Sequence, residues 1–269
     1  MEKFAKFFKK TFYRRKLPCL HYVEVHLTDH CNLNCIACTH YSSIASPQFE
    51  NIQKFNTNMK MLSKKLRFNR IRLLGGEPLL HPNVSDFIKI TKKHFPKSHI
   101  CVCTNAILLP SMSELFWQTC RDCNVTIDIT DYPSEKQKEI SYYAEIISKN
   151  KVAFGGAHNG NKRVVFHNPS GSSNKKISFQ RCVIKYKNVI LLKGNRIFNC
   201  PKTAYIGIYN KYFNKHVAQD KGINIYFNSS KSIKTYISKP TETCKYCSHN
   251  YKVIDWTTSK NKDDEWDLT

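Results

Sequence analysis

The chain has 269 residues, 41% of them hydrophobic and 23% charged, which suits a folded protein with one large domain or a domain plus a subdomain. It has no apolar run of about 18 residues, which excludes a transmembrane helix, and lysines interrupt the N-terminal stretch, which argues against a signal peptide. The net charge of +23 admits an anionic substrate, an acidic membrane surface or nucleic acid, and twelve cysteines without a secretory signal point to metal and redox chemistry in a reducing cytoplasm.

In chain order, residues 1–20 form a basic amphipathic segment. Phe4, Phe7, Phe8 and Phe12 recur near helical spacing among lysines and arginines, suiting either an anionic membrane surface or docking on the protein's own core. Residues 21–28 alternate as a strand. Immediately after it, Cys31, Cys35 and Cys38 stand in a C-x3-C-x2-C run. A tetrahedral zinc site takes four ligands, whereas three soft thiolates on one loop suit an iron–sulfur cluster with one open iron. A helix is expected from about Phe55 to Leu66. A strand over 70–75 follows, running into Gly75-Gly76-Glu77-Pro78, then a helix over Asn83–Phe95 and a strand over Ser98–Thr104 that ends at Thr104-Asn105. Ser111–Arg121 is read as a helix, Val125–Thr130 as a strand ending at Thr130-Asp131, and Glu135–Ser148 as a helix. A strand starts near Val152, and Arg163–Phe166 is a further strand or its continuation. Alternating strands and helices imply a parallel sheet with right-handed crossovers, in an open barrel or a doubly wound arrangement.

Residues 155–176 are rich in Gly, Asn, Pro and Ser and mark a boundary near residue 175. Beyond it, residues 189–199 read as a β-hairpin with a Gly194-Asn195 turn, flanked by Cys182 and Cys200. Cys244 and Cys247 form a C-x2-C knuckle. These four thiols can complete a second site, either a 4Fe–4S cluster or zinc. Cys19, Cys101, Cys103, Cys120 and Cys123 lack such an arrangement and are expected in core packing, although Cys120 and Cys123 also match a C-x2-C redox spacing.

The cysteine loop and the Gly-Gly-Glu-Pro run, on successive predicted strands, resemble the radical S-adenosylmethionine (SAM) superfamily. The resemblance implies a partial (β/α)6 TIM-like barrel with a small C-terminal cysteine-rich β-hairpin/helix subdomain. It divides the chain into a radical SAM core at 21–175 and, at 176–269, an auxiliary-cluster region similar to the twitch or SPASM type. It also implies a 4Fe–4S cluster on Cys31, Cys35 and Cys38, and SAM held by Gly75, Gly76, Glu77 and Pro78, with Thr104, Asn105 and Thr130 as further contacts. A second 4Fe–4S cluster would sit on Cys182, Cys200, Cys244 and Cys247. Ala37 stands where the family often carries an aromatic beside the adenine, and Tyr41 is the aromatic placed to substitute for it. Five residues separate Gly194 from Cys200 where the family usually has four, and the later cysteines of a full SPASM domain are missing.

The expected activity is reductive cleavage of SAM to a 5′-deoxyadenosyl radical that abstracts hydrogen from a substrate. That substrate is read as anionic, of the sugar or nucleotide-sugar class, with a peptide as the alternative. Electrons would come from a flavodoxin or ferredoxin. Location is expected to be cytoplasmic with peripheral membrane contact open, and nucleic acid ranks last because no binding-module signature is present. The nonenzymatic rival is a basic zinc- or cluster-binding scaffold. The tail around Trp256, Thr257, Ser259, Glu265 and Trp266 is read as closing the barrel mouth or packing on the protein.

Overall fold

The computed structural model describes residues 17–182, 185 and 189–267; the amphipathic pattern of residues 1–16 lies outside them. Five strands run parallel in chain order: β1 (Cys19–His26), β2 (Arg67–Leu74), β3 (His99–Thr104), β4 (Val125–Asp131) and β5 (Ala153–Asn159). The crossovers are helices α1 (Ile52–Ser63), α2 (Val84–His94), α3 (Glu114–Asp122) and α4 (Ile140–Lys149). Each presents an apolar stripe to the sheet. In α1 it is Phe55, Met59 and Leu62, and in α2 Val84, Phe87, Ile88 and Thr91, the spacing that puts side chains on one helical face. Asn51 caps α1 by accepting from the Lys54 amide, and Ser113 caps α3 by accepting from Phe116. Val23, Val25, Leu27, Ile71, Leu73, Ile100, Val102, Ile127 and Ile129 supply the sheet's half of this core.

The opposite face of the same strands is polar. It carries Glu24 and His26 on β1, Arg70 and Arg72 on β2, Cys101 and Cys103 on β3, and Asp128 on β4, because side chains alternate across a strand. Beyond β1 the sheet continues through a hairpin, β7 (Leu191–Lys193) and β8 (Arg196–Phe198), turning at Gly194-Asn195, with β7 parallel to β1; a short β9 (Ile223–Asn224) follows, giving the order β5-β4-β3-β2-β1-β7-β8-β9. The sheet is thus open and mixed rather than a closed barrel. The strand expected at Arg163–Phe166 is found as β6 (Lys162–His167), but it leaves this sheet and pairs antiparallel with the C-terminal β10 (Cys247–Asp255).

Helices α5 (Lys175–Gln180), α6 (Pro201–Phe213) and α7 (Ser230–Ile237) lie in the C-terminal part. Helix α6 covers the polar face near β1, where Tyr205 stacks on His26 with ring centroids 4.2 Å apart. No helix among the described residues is long and apolar enough to cross a membrane.

Candidate functional site

The two motifs meet at the C-terminal edge of the parallel sheet. β1 ends at His26 and β2 at Leu74, so both connecting loops leave the same edge side by side. Backbone hydrogen bonds then join them. The Gly76 amide donates to the Thr28 carbonyl (3.0 Å), the Glu77 amide to the His30 carbonyl (3.1 Å), and the Thr28 hydroxyl to the Glu77 carbonyl (2.9 Å).

Glycine is required at both positions. A Cβ on Gly75 would lie 2.5 Å from the Thr28 carbonyl oxygen, and one on Gly76 only 2.1 Å from that of His30. The pair therefore lets the cysteine loop approach, a role the motif alone did not disclose.

Glu77 is fully buried, and its carboxylate ties three segments together. One oxygen accepts from the Leu79 amide (3.0 Å) and the Thr104 hydroxyl (2.6 Å), and the other from the Asn105 amide (2.8 Å). Burial nevertheless raises its pKa to about 7, the hydrogen bonds from Thr104, Asn105 and Leu79 only partly offsetting the lost hydration. Asn105 in turn reaches the cysteine loop, its amide group donating to Asn32 (2.7 Å) and lying 3.7 Å from the Cys31 sulfur. Gln137 spans two strand ends, donating to the carbonyls of Asn105 and Thr130, each at 2.8 Å. Thr130 thus meets this edge through its backbone. Neither Asn32 nor Gln137 stood out in the sequence, since neither belongs to a spaced pattern.

Cys31, Cys35 and Cys38 gather with Leu33, Ile107, Tyr132 and Trp256 in one apolar cluster. Their electrostatic settings differ. Burial raises Cys35 to about 11 and Cys31 higher still. At Cys38 burial acts in the same direction, but His40 and Arg163 outweigh it and bring the thiol down to about 6. Arg163 also donates to the carbonyls of Ile36 (3.3 Å) and Ala37 (3.5 Å). Three soft donors on one loop, one already favoured as thiolate, fit an iron–sulfur cluster.

The C-terminal tail closes over the loop. The Ile36 amide donates to Thr257 (3.0 Å), Ser259 and Asn34 exchange two bonds (2.8 and 2.9 Å), and the Trp266 indole donates to the Cys38 carbonyl (2.9 Å). Glu265 accepts from the Ser259 hydroxyl and the Lys260 amide, holding the turn. Tyr41 is 2% exposed, adopts φ +57°, packs against Tyr209 and Trp266, and borders a small pocket with Ala37 and Thr39.

Cys182, Cys200, Cys244 and Cys247 line one cavity, partly open to solvent, together with Lys202 and Thr203. The β7–β8 hairpin brings Cys200 to the N-cap of α6, where its sulfur accepts from the Thr203 amide (3.3 Å). The Lys202 ammonium lies 3.5 Å from the Cys247 sulfur. Of the remaining cysteines, Cys120 and Cys123 are core residues, whereas Cys19 is exposed and bonds Asn69 instead of packing. Cys101 and Cys103 lie on the polar sheet face.

The description of the radical SAM superfamily matches residues 25–158, from within β1 to β5. A GTP 3′,8-cyclase of Clostridium botulinum (strain Okra / Type B1) is 33% identical over 112 residues, 40% of this chain and 35% of that protein. The GTP 3′,8-cyclase of Microcystis aeruginosa (strain NIES-843 / IAM M-2473) is 28% identical over 115 residues, 41% of this chain and 35% of that protein. The chain therefore spans 35% of the length of each of these relatives. Among solved structures, BtrN in complex with AdoMet and 2-DOIA aligns with TM-score 0.54 and 17% identity over 85% of this chain and 92% of that one, a likeness of fold.

Proposed function

The chain carries a radical SAM domain, and from that premise we propose that it is an enzyme that cleaves SAM reductively and abstracts hydrogen from a small polar substrate. The observation that carries this reading is the backbone-to-backbone junction of the Cys31–Cys38 loop with Gly75–Pro78 at the sheet edge. Cys31, Cys35 and Cys38 would hold a 4Fe–4S cluster, leaving one position for SAM. Such a cluster with SAM supplies one-electron cleavage to methionine and a 5′-deoxyadenosyl radical, electrons coming from a flavodoxin- or ferredoxin-type donor.

The residues around it do the rest. Glu77 fixes the ends of β2 and β3 and offers its remaining acceptor direction to the SAM ammonium. Asn105 orients the loop through Asn32, with Thr104 and Thr130 at neighbouring strand ends, and Trp256 and the tail exclude water. Beside this edge, His26, Asp29, Glu50, Lys193 and Tyr205 line a polar pocket. Groups of both signs there suit a hydroxyl- and phosphate-bearing molecule such as a sugar or nucleotide-sugar. With twelve free thiols and clusters of this kind, a reducing cytoplasm is the compartment we assign. Anaerobic reconstitution followed by iron and sulfide analysis and a 5′-deoxyadenosine assay under dithionite tests the reading; a reconstituted chain that binds iron but never cleaves SAM would sink it.

Glu77→Gln is expected to weaken SAM about ten- to a hundredfold, the worth of a hydrogen bond to a charged group. The amide cannot accept from both the Leu79 and Asn105 amides and Thr104 at once, so one buried donor loses its partner and the melting temperature falls as well. Isothermal titration and thermal melts measure the two effects, and unchanged SAM affinity in the folded variant would remove Glu77 from the amine site.

For the C-terminal cavity we propose a second 4Fe–4S cluster with all four irons held by cysteine. Changing Cys182, Cys200, Cys244 and Cys247 to Ala should lower iron from about eight to about four per chain while SAM binding persists. About four irons plus one zinc in the unaltered chain would instead make this site a structural zinc.

A further inference from the structure

Cys101, Cys103 and Asp128 form a second kind of donor cluster, on the polar face of the sheet. Cys103 pairs directly with Asp128 across β3 and β4, and Cys101 is two residues earlier on the same face. The three donor atoms all lie within 4.8 Å of one another, and the two sulfurs are 3.6 Å apart. A tetrahedral ion with Zn–S bonds of about 2.3 Å places two thiolates about 3.8 Å apart, so the pair needs almost no movement to share one.

The carboxylate is built in at some cost. Asp128 is 2% exposed, yet neither of its oxygens has a hydrogen-bond partner among the described residues. Its cationic neighbours stand back, Arg70 at 3.7 Å and the exposed His158 at 3.6 Å. With ion pairs at this range and no hydrogen bond on either oxygen, the buried carboxylate keeps its lone pairs available to a cation shared with the two sulfurs. The backbone makes room for it. The β4–β5 register slips between Ile127 and Asp128, Phe154 and Gly156 being the successive partners, which leaves Gly155 as the extra residue. A Cβ on Gly155 would sit 2.0 Å from the Asp128 carboxylate oxygen. Arg72 completes the surroundings: its Nε lies 3.0 Å from the Cys103 sulfur while the same guanidinium pairs with Glu24 at 3.2 Å.

We propose that Cys101, Cys103 and Asp128 bind one borderline-soft divalent cation, of which zinc is the type, with His158 or a water-derived oxygen in the fourth position. Three protein donors and one replaceable position are the pattern of a site that can take a substrate oxygen.

The full chain is reconstituted anaerobically with iron and sulfide, equilibrated with Zn²⁺ and desalted, and its metals are counted. The expected result is about one zinc per chain beside the iron, with an X-ray absorption shell of two sulfurs and two lighter donors. Cys101→Ser with Cys103→Ser should lose the zinc and keep the iron. Asp128→Asn, which retains both thiols and the side-chain shape, should weaken zinc at least about tenfold in competition with a chelating dye. Zinc retained by the double serine variant, a four-sulfur shell, unchanged affinity in Asp128→Asn, or no zinc on the unaltered chain would each overturn the assignment.

Discussion

Replacing Cys31, Cys35 and Cys38 together with Ala is expected to abolish 5′-deoxyadenosine release under dithionite and to remove about four irons per chain. The effect should be chemical and not a collapse of the fold. The loop is held by main-chain bonds to Gly76 and Glu77 on one side and to Thr257 and Ser259 on the other, none of which uses a cysteine side chain. Cys35 rests against Leu33 and Trp256, with Cys31 and Cys38 at the margin of the same cluster, so the substitutions trim contacts but leave these bonds in place. Near-native circular dichroism with the iron of the C-terminal set intact is therefore the expected accompaniment. Continued 5′-deoxyadenosine release from the triple variant would transfer the reactive iron to other ligands.

The parallel βα frame was legible because its signals are local. Alternation over 21–28 and 98–104, and helical stripes such as Phe55–Met59–Leu62, are set by neighbours within a turn or two. The junction of the two motifs was legible only in part. Their order along the chain put both at one sheet edge, but nothing in a Gly-Gly pair says whether a ligand or another strand of chain comes close. Here it is chain, and the carboxylate between the motifs spends three acceptor positions on Leu79, Thr104 and Asn105.

What stayed hidden depends on distant partners. Arg163 bonds Ile36 across 127 positions and Trp266 bonds Cys38 across 228, and no periodicity encodes such pairs. Tyr41 stands just after the third cysteine, but the residues it packs with, Tyr209 and Trp266, come from far along the chain. Cys101 and Cys103 looked like ordinary strand residues because the residue that gives them meaning, Asp128, lies on the next strand. The bulge that admits its carboxylate arises from a Gly-Gly pair, Gly155-Gly156, that reads in sequence only as a loop signal.

Gly76→Ala is expected to be the most damaging single substitution at this edge, costing roughly 4 kcal/mol or more and emptying the Cys31–Cys38 loop of iron. The new Cβ would meet the His30 carbonyl oxygen at 2.1 Å, its carbon at 2.3 Å and the Cys31 nitrogen at 2.8 Å. All three are backbone atoms, so no rotamer change relieves the clash. The two loops must separate, which breaks the Gly76-to-Thr28 and Glu77-to-His30 bonds and displaces Cys31 from Cys35 and Cys38. Gly194→Ala separates this effect from conformational strain. Gly194 has φ +53° with nothing within 4 Å of a Cβ, so the control should cost only the roughly 1–2 kcal/mol of a left-handed non-glycine residue and leave both metal sites loaded. Melting curves and iron counts on the two variants make the comparison. If Gly76→Ala melts and loads like Gly194→Ala, the close approach of the two loops is not what holds the cysteines in place.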